Sequence, residues 1–218
     1  MAVMQDISHL KRLDQMKSEF VSTVSHDLRS PLTTIKGFVD LMSVAGPLNE
    51  QQRDFVSRIQ KGVTTITELI NDLLDIGRIE AEVNLNMEVC ALDEIIAQSV
   101  DELRSQAESK QQTLVMTLPP HVPPVWGNPL RLRQVVDNLV NNAIKYTPEE
   151  GKITVWVEDY DSQIALHVSD TGFGIPHADQ PYIFDKFYRV QNEETEGITG
   201  TGLGLAIVKS IVEKHNGR

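Results

Sequence analysis

Apolar residues recur at helical spacing along the first third of the chain and predict two long helices. The first stripe comprises Leu13, Phe20, Val24, Leu28, Ile35, Val39 and Met42. The second comprises Phe55, Ile59, Gly62, Ile66, Leu69, Leu73 and Ile76, whose steps of four and three make a heptad seam. The turn-forming segment Ala45-Gly46-Pro47-Leu48 separates the two. Pro31 lies inside the first stripe, where a proline is expected to kink the helix.

Two helices alone cannot cover both stripes, because each stripe needs apolar neighbours on more than one side. A homodimer that closes an antiparallel four-helix bundle satisfies this requirement with one extra copy of the chain. The alternative is an intramolecular hairpin whose apolar face packs on the second half of the chain.

The pattern changes after about residue 81. Amphipathic helices are predicted over 92–107, from Asn128-Pro129 to the residue before Pro148, and over Leu203 to His215. Strands are predicted over 114–118, 153–157 and 164–168, the last two as a hairpin around a turn at Asp159–Ser162. Helices mixed with antiparallel strands predict an α+β fold, an α/β sandwich with helices on one face of a sheet. The fold class is therefore multidomain: a helical hairpin followed by this sandwich.

Composition narrows the partners and the compartment. The 218 residues carry a net charge of −11, which argues against nucleic acid or an anionic membrane as a partner. Cys90 is the single cysteine and cannot form an internal disulfide, so a reducing cytoplasm is the expected location. No run approaches the roughly 18 apolar residues that cross a bilayer. The chain is expected not to insert into a membrane, although a membrane-tethered parent protein stays compatible with it.

The segment Ser-His-Asp-Leu-Arg-Ser-Pro-Leu-Thr, residues 25–33, carries the first candidate chemistry. His26 is followed at once by Asp27, so an imidazole stands beside a potential proton acceptor on a predicted helix. Adjacent residues are about 100° apart around a helix, so their pairing requires suitable rotamers. The other five histidines have no such neighbour in a comparable motif and are interpreted as surface or packing residues.

A second candidate site is the asparagine-rich segment 137–147. Asn138 and Asn142 are four residues apart and share a helix face, and Lys145 follows three residues later. Asparagine is a poor helix former, so helix propensity does not account for this composition. An amide oxygen suits Mg²⁺, and a lysine can contact phosphate. A polar face exposed to solvent is the alternative.

Two glycine motifs and a basic pair complete the candidates. Asp170-Thr-Gly-Phe-Gly-Ile175 follows a predicted strand, and Gly200-Thr-Gly-Leu-Gly-Leu205 precedes the last helix, where free amides favour phosphate oxygens. Each motif alone is weak, and a plain turn is the alternative for the first. Lys186 and Arg189 lie three apart, with Phe184 and Phe187 as apolar anchors.

These segments, in this order, resemble the sensor histidine kinases of two-component signalling. The resemblance runs from about residue 8 to residue 218 and joins a HisKA dimerisation domain to a Bergerat-type ATPase domain. It implies that His26 is the phosphoacceptor and that Asp27 is its general base or orienting carboxylate. It also implies ATP-dependent autophosphorylation of His26 in a homodimer formed through the helical hairpin. Transfer to an aspartate of a response regulator receiver domain would follow.

The resemblance also implies roles in nucleotide binding. Asn142 would coordinate Mg²⁺, with Asn138 lining the same pocket. Lys145 and Tyr146 would contact the phosphates and the adenine, and Asp170 would recognise the adenine amine. The glycines that would shape the pocket and its lid are Gly172, Gly174, Gly200, Gly202 and Gly204. Lys186 and Arg189 would approach the γ-phosphate.

The resemblance divides the chain into four parts. Residues 1–7 resemble the exit of a PAS-type sensor, residues 8–80 the dimerisation and phosphotransfer domain, residues 81–89 a linker, and residues 90–218 the ATP-binding domain. Ser30 stands four residues after His26, where many family members carry Thr or Asn that helps to dephosphorylate the regulator. The Ser30 hydroxyl can replace the Thr or Asn side chain in this role, so the sequence does not decide whether the protein has phosphatase activity.

The family continues beyond the position of Arg218 with a further hairpin. A truncated ATPase domain with an open strand edge and weak or no nucleotide binding is therefore expected. A non-catalytic dimeric scaffold that only binds a regulator is the alternative function. A nucleotide-gated clamp of the same ATPase superfamily is disfavoured, because such a clamp has no use for His26 and Asp27 on a helical hairpin.

Overall fold

The computed structural model describes residues 8–81, 86–160, 163–190 and 192–218, with the side chains of 8–26 and 81 excepted. The predicted tail over 1–7, part of the predicted linker and the turn positions 161–162 lie outside these ranges. The chain divides into two compact units near residue 83, and the short segment 199–201 groups with the first. No helix of the described ranges contains an apolar stretch long enough to cross a membrane.

The first unit is built from helix α1, Ser8–Ala45, and helix α2, Glu50–Ala81. Both predicted helices are confirmed, and α1 continues through Pro31 as one helix. Reciprocal hydrogen bonds define the start of α2. The Asn49 side chain accepts from the backbone N–H of Gln52 at 2.8 Å, and the Gln52 side chain accepts from the backbone N–H of Asn49 at 3.0 Å. This capping box satisfies donors that have no partner within the helix.

Helix α2 carries two apolar seams that are offset by one residue. The seam that packs inside the hairpin consists of Val56, Val63, Ile70 and Leu74, which are buried, as is Val39 of α1. The seam predicted from the heptad pattern mostly faces away from the hairpin: Phe55, Ile59, Ile66 and Leu73 are 53, 43, 49 and 39% exposed. On α1, Phe38 and Leu41 are exposed as well. A single copy of the chain therefore leaves an extended apolar face uncovered.

The second unit contains three helices and a mixed sheet, and two of the helices pack on one face of that sheet. Its helices are α3, Leu92–Ser109, α4, Pro129–Tyr146, and α5, Gly204–Lys214. The sheet contains β2, Thr113–Thr117, β4, Lys152–Tyr160, and β5, Gln163–Asp170, in the order β2-β4-β5. Alternate β4 residues, Ile153, Val155 and Val157, are buried with apolar residues of α3 and α4. The predicted sandwich is confirmed.

Three details of the sheet differ from the prediction. Strand β2 runs parallel to β4, whereas only antiparallel strands were expected. The hairpin strands are longer than predicted, so that Asp159 and Tyr160 belong to β4 rather than to a turn. Two short strands, β1, Glu88–Cys90, and β3, Val125–Gly127, form a separate antiparallel pair, and β1 begins inside the predicted linker. Three residues are too few to show a periodic pattern.

Cys90 is a packing residue, as its apolar surroundings indicate. Its thiol is buried and donates to the carbonyl oxygen of Gly127 at 3.2 Å, across the pair formed by β1 and β3. Burial, and then the charge of Glu88, raises the pKa of the thiol. A raised pKa disfavours the reactive thiolate.

Helix α4, which carries the asparagine face, is held at both ends. At its start, Asn128 accepts from the backbone N–H of Arg131 at 3.0 Å, and Pro129 occupies the first helical position. At its end, the Lys110 ammonium and the buried Gln112 amide both donate to the carbonyl of Ile144, at 2.8 and 3.0 Å. These donors serve carbonyls that have no partner within the helix. The lysine charge also favours the negative end of the helix dipole.

His215 joins the start of α4 to the end of α5. Its Nε2 accepts from the backbone N–H of Asn128 at 2.9 Å, and its Nδ1 lies 2.8 Å from the carbonyl oxygen of Ile211. Because a backbone N–H can only donate, the neutral ring carries its hydrogen on Nδ1 and donates it to Ile211. The imidazole therefore fixes two helix ends through one planar group.

We expect His215→Ala to lower the free energy of unfolding by about 1–3 kcal/mol, because it leaves the Asn128 N–H without its acceptor. Urea unfolding followed by circular dichroism measures this loss. The matched control is His121→Ala, which removes an exposed imidazole from the same unit and should leave the midpoint nearly unchanged. Equal effects of the two substitutions would contradict the bridging role of His215.

Candidate functional site

The predicted phosphoacceptor segment lies within α1. His26 is part of the helical backbone, and its side chain lies outside the described residues. Asp27 and Ser30 are exposed, and Ser30 follows His26 by one helical turn. Next to them, Arg29 donates through Nη2 to the side-chain oxygen of Asn71 on α2 at 2.8 Å, so this turn of α1 is fixed to its neighbour.

The predicted asparagine face of α4 lies against the start of α5. A Cβ atom placed on Gly204 would be 3.1 Å from Oδ1 of Asn138 and 3.9 Å from Nδ2 of Asn142. Asn138 also donates through Nδ2 to the carbonyl of Gln134 at 3.0 Å, which orients its amide. Two amides and the first turn of a helix thus share one half-buried region. Amide oxygens suit a hard cation, and a helix N-terminus favours anions.

The predicted adenine end of the site joins the end of β5 to the end of α4. Asp170 Oδ1 accepts from the backbone N–H of Gly172 at 2.8 Å, and the Phe173 N–H donates to the carbonyl of Tyr146 at 3.3 Å. A Cβ on residue 172 would lie 2.4 Å from that carbonyl oxygen, so only glycine fits. The exposed Asp170 carboxylate and the half-buried Tyr146 ring therefore flank one turn. Lys145 Nζ lies 5.8 Å from the centre of that ring.

The predicted basic pair lies on a loop that is hydrogen-bonded to the second glycine motif. Phe187, between Lys186 and Arg189, has a φ of 66°, and its N–H donates to the carbonyl of Gly202 at 2.9 Å. Gly202 has a φ of 71°, and a Cβ there would lie 2.8 Å from the carbonyl carbon of Phe187. Arg189 Nη2 donates to the carbonyl of Ile198 at 2.5 Å.

Two features of the site escaped sequence reasoning. The hydroxyl of Tyr188 donates to Asp179, and this bond, together with partial burial and nearby negative charge, raises the pKa of Tyr188. The second feature is the capping of α4 by Lys110 and Gln112. The sequence gives no sign of either feature. The bonded residues lie in different elements or in irregular segments, and their spacing along the chain follows no helical or strand period.

The structure brings most predicted nucleotide residues together in three groups within the second unit. The groups are Asn138 and Asn142 with Gly204; Lys145, Tyr146, Asp170 and Gly172; and Lys186, Arg189 and Gly202. Gly174 is exposed close to the second group, whereas Gly200 belongs to the first unit. Within the described ranges no three His, Cys, Asp or Glu side chains cluster as a metal site, and the predicted Mg²⁺ ligand is the amide of Asn142.

Two family models match the chain in succession. Residues 16–82 match the His Kinase A (phospho-acceptor) domain. Residues 127–218 match the histidine kinase-, DNA gyrase B- and HSP90-like ATPase. The chain belongs to the sensor histidine kinases of two-component signalling.

Named sensor kinases align with almost the whole chain. Drug sensory protein A of Synechocystis sp. is 38% identical over 223 residues, which cover 97% of this chain and 34% of that protein. The circadian input-output histidine kinase CikA of Synechococcus elongatus is 36% identical, with 92% and 27% covered. The sensor histidine kinase WalK of Bacillus subtilis is 32% identical, with 99% and 36% covered. This histidine kinase chain thus spans about a third of the length of these relatives.

Solved histidine kinases share the architecture. Full-length ShkA, crystallised in complex with AMPPNP, matches 90% of this chain and 41% of its own, with a TM-score of 0.72 and 27% identity. The Acinetobacter baumannii histidine kinase AdeS matches 86% of both chains with a TM-score of 0.58. At 23% identity, the AdeS match supports the fold alone.

We expect Gly172→Ala to lower the stability of the second unit by about 1–3 kcal/mol, since the added methyl must displace the Tyr146 carbonyl. It should also weaken the binding of MgAMPPNP, because Asp170 and Tyr146 move apart. Thermal unfolding and calorimetry measure the two effects. The control is Gly37→Ala on α1, where a Cβ meets nothing within 4 Å. That change should stabilise by up to about 1 kcal/mol. Wild-type behaviour of Gly172→Ala would refute the proposed close packing.

Proposed function

We propose that this chain is the kinase core that phosphorylates itself on His26 with ATP and passes the phosphoryl group to an aspartate of a response regulator receiver domain. The observation that carries the proposal is the order of two family matches in one chain: a phosphoacceptor domain, 16–82, then an ATPase domain, 127–218. His26 lies in the first of them. Activity and partners are proposed for the chain because it spans only about a third of its named relatives.

The residues of the second unit fit a magnesium nucleotide. Asn142 supplies an amide oxygen for Mg²⁺, and Asn138 lines the same region. When bound, Mg²⁺ neutralises charge on the phosphate oxygens. Lys145 contributes a positive charge to the phosphates, and the Tyr146 ring offers an apolar surface to the adenine. The proximity of both amides to Gly204 supports this assignment.

Asp170 is proposed to recognise the adenine. Its Oδ1 accepts from Gly172, and an ionised carboxylate has further lone pairs for the exocyclic amine. Gly172 lies so close to the Tyr146 carbonyl that a side chain at position 172 would not fit. This close approach supports a concave site for the adenine at the turn. Gly174, exposed in the same turn, keeps the backbone accessible to the base.

The phosphates are proposed to lie at the start of α5. Two glycines of this motif that belong to the second unit, Gly202 and Gly204, lie at the start of the helix, where the helix dipole favours negative charge. Lys186 and Arg189 are proposed to reach the γ-phosphate, where they offset charge on the oxygens that transfer. Positioning and charge neutralisation account for most of the catalysis of phosphoryl transfer.

On the acceptor side, an unprotonated imidazole nitrogen of His26 attacks the γ-phosphorus. The new N–P bond forms as the bond from the γ-phosphorus to the β–γ bridging oxygen breaks, and ADP leaves with that oxygen. Asp27 is proposed to accept the hydrogen of the other ring nitrogen, which fixes the reactive tautomer. Ser30, one turn further, is proposed to orient a water molecule for dephosphorylation of the regulator.

We propose that residues 8–80 form the dimerisation and phosphotransfer domain and that residues 90–218 form the ATP-binding domain, joined by a linker over 81–89. The uncovered seam of Phe55, Ile59, Ile66 and Leu73 supports a homodimer through the hairpin. The net charge of −11 supports a protein partner rather than nucleic acid. The buried Cys90 thiol suits a reducing cytoplasm.

Incubation with γ-labelled ATP and Mg²⁺ should label the wild-type chain and leave His26→Gln unlabelled. A phosphoramidate on histidine is labile to acid and stable to alkali, so these treatments identify the linkage. Chelation of Mg²⁺ with EDTA should abolish the label.

The matched control for this experiment is His177→Gln, which removes an exposed imidazole from the ATPase unit and should label like wild type. Label that persists in His26→Gln would assign the acceptor to another residue. Wild-type chain that binds MgATP and stays unlabelled would contradict the kinase assignment.

We expect Ile66→Glu to weaken dimerisation on the order of 100-fold or more, because a charge would be buried in each copy of the seam. Sedimentation equilibrium measures the dissociation constant. Val89→Glu places the same charge on an exposed apolar residue of β1 and should leave the dimer intact. A wild-type chain that sediments as a monomer at every concentration would rule out this interface.

A further inference from the structure

We propose that the bond between Tyr188 and Asp179 positions Lys186 and Arg189 for contact with the terminal phosphate. This inference rests on the proposed function, since it assigns the basic pair to the γ-phosphate. Tyr188 and Asp179 are positioning residues, because they act through the two cations. They would set how strongly the site distinguishes ATP from ADP.

The basic pair lies on a segment with little regular structure of its own. Between Pro176 and Val190 the only helical element is a single 3-10 turn, Gln180–Tyr182. Short turns make up the rest, such as those closed by Tyr182 N–H to the carbonyl of Asp179 at 2.9 Å and by Asp185 N–H to the carbonyl of Tyr182 at 2.8 Å. Each of these hydrogen bonds joins residues that are three apart, so it fixes a local turn. Such bonds do not connect the start of the segment to its end.

The side chain of Tyr188 supplies the longer connection. Its hydroxyl reaches back nine residues to the carboxylate of Asp179, and both side chains are half-buried. The Tyr188 ring also packs against Tyr182, with 5.6 Å between ring centres. A hydrogen bond to a charged acceptor is stronger than one between neutral groups. This bond therefore closes the segment into a loop that contains Lys186.

Strain between the two cations makes the loop depend on such a closure. Phe187 has a φ of 66°, in the left-handed region that disfavours side chains by about 1–2 kcal/mol. This backbone conformation sets the direction of the chain from Lys186 to Tyr188. Contacts with neighbouring residues must therefore stabilise it. Three contacts contribute: the bond from Phe187 N–H to Gly202, the bond from Arg189 to the carbonyl of Ile198, and the Tyr188 bond to Asp179. Without the Tyr188 bond, Phe187 can relax, and the cations would lose their common direction.

The adenine end does not share this dependence. Asp170 and Gly172 are fixed against Tyr146 through their own backbone contacts. Loss of the Tyr188 bond should therefore weaken contacts with the terminal phosphate and leave contacts with the base and the inner phosphates. A loss of the fold would instead weaken every nucleotide equally.

The experiment compares calorimetric affinities for AMPPNP and ADP, each with Mg²⁺, across variants of the whole chain. Tyr188→Phe and Asp179→Ala should weaken AMPPNP about 10-fold and ADP less than about 2-fold, as expected for one charge-assisted hydrogen bond. Asp179→Asn should lie between wild type and Asp179→Ala, because its amide oxygen still accepts from the hydroxyl but carries no charge. Tyr182→Phe is the matched control: it removes a hydroxyl from the same loop without removing this bond.

Amide hydrogen exchange without nucleotide gives a second, independent readout. Tyr188→Phe should speed exchange at Phe187 and Tyr188, whereas Tyr182→Phe should not. Unchanged exchange at these amides, or equal weakening of AMPPNP and ADP, would overturn the inference. A wild-type chain with no preference for AMPPNP over ADP would instead count against the proposed γ-phosphate contacts. In that case the exchange data still decide whether the bond orders the loop.

Discussion

The site depends on helix α4 being held at both of its ends. A helix leaves four donors and four acceptors without internal partners, and a helix that must present side chains to a ligand cannot fray there. Here Asn128 and His215 serve the start, and Lys110 and Gln112 serve the end. Asn138, Asn142, Lys145 and Tyr146 project from the length between these anchors. The polar face therefore has a fixed direction, although asparagine itself weakens a helix.

This anchoring also explains how the parts of the site are joined. The carbonyl of Tyr146, at the end of α4, receives the N–H of Phe173 from the turn after β5. The amides of Asn138 and Asn142 meet the first residue of α5. One helix thus contacts both glycine motifs, and the candidate nucleotide site is organised around it. The loop that carries Lys186 and Arg189 is joined to the same region by its hydrogen bond to Gly202.

The sequence predicts the elements that show a periodic apolar pattern or a helix-capping residue. The Asn128-Pro129 pair located α4, and alternation located the hairpin strands. Prediction fails where the determining contacts join distant or irregular segments. The pairing of Val89 with Trp126 leaves no trace in three-residue strands, and the parallel pairing of β2 with β4 requires knowledge of the crossover. The heptad pattern at Phe55 and Ile66 predicts an apolar stripe, but the pattern does not tell which of the two stripes of α2 closes the hairpin.

The two seams of α2 are offset by a single residue, and together they make a wide apolar arc. Adjacent positions such as Phe55 and Val56 differ by about 100° around the axis, so apolar surface spans more than one packing direction. A bundle built on a narrow stripe loses contact as soon as a helix turns about its axis. A bundle built on a wide arc exchanges one apolar contact for another and keeps most of its buried area. A hairpin with such an arc therefore offers only a shallow energetic resistance to rotation of its helices.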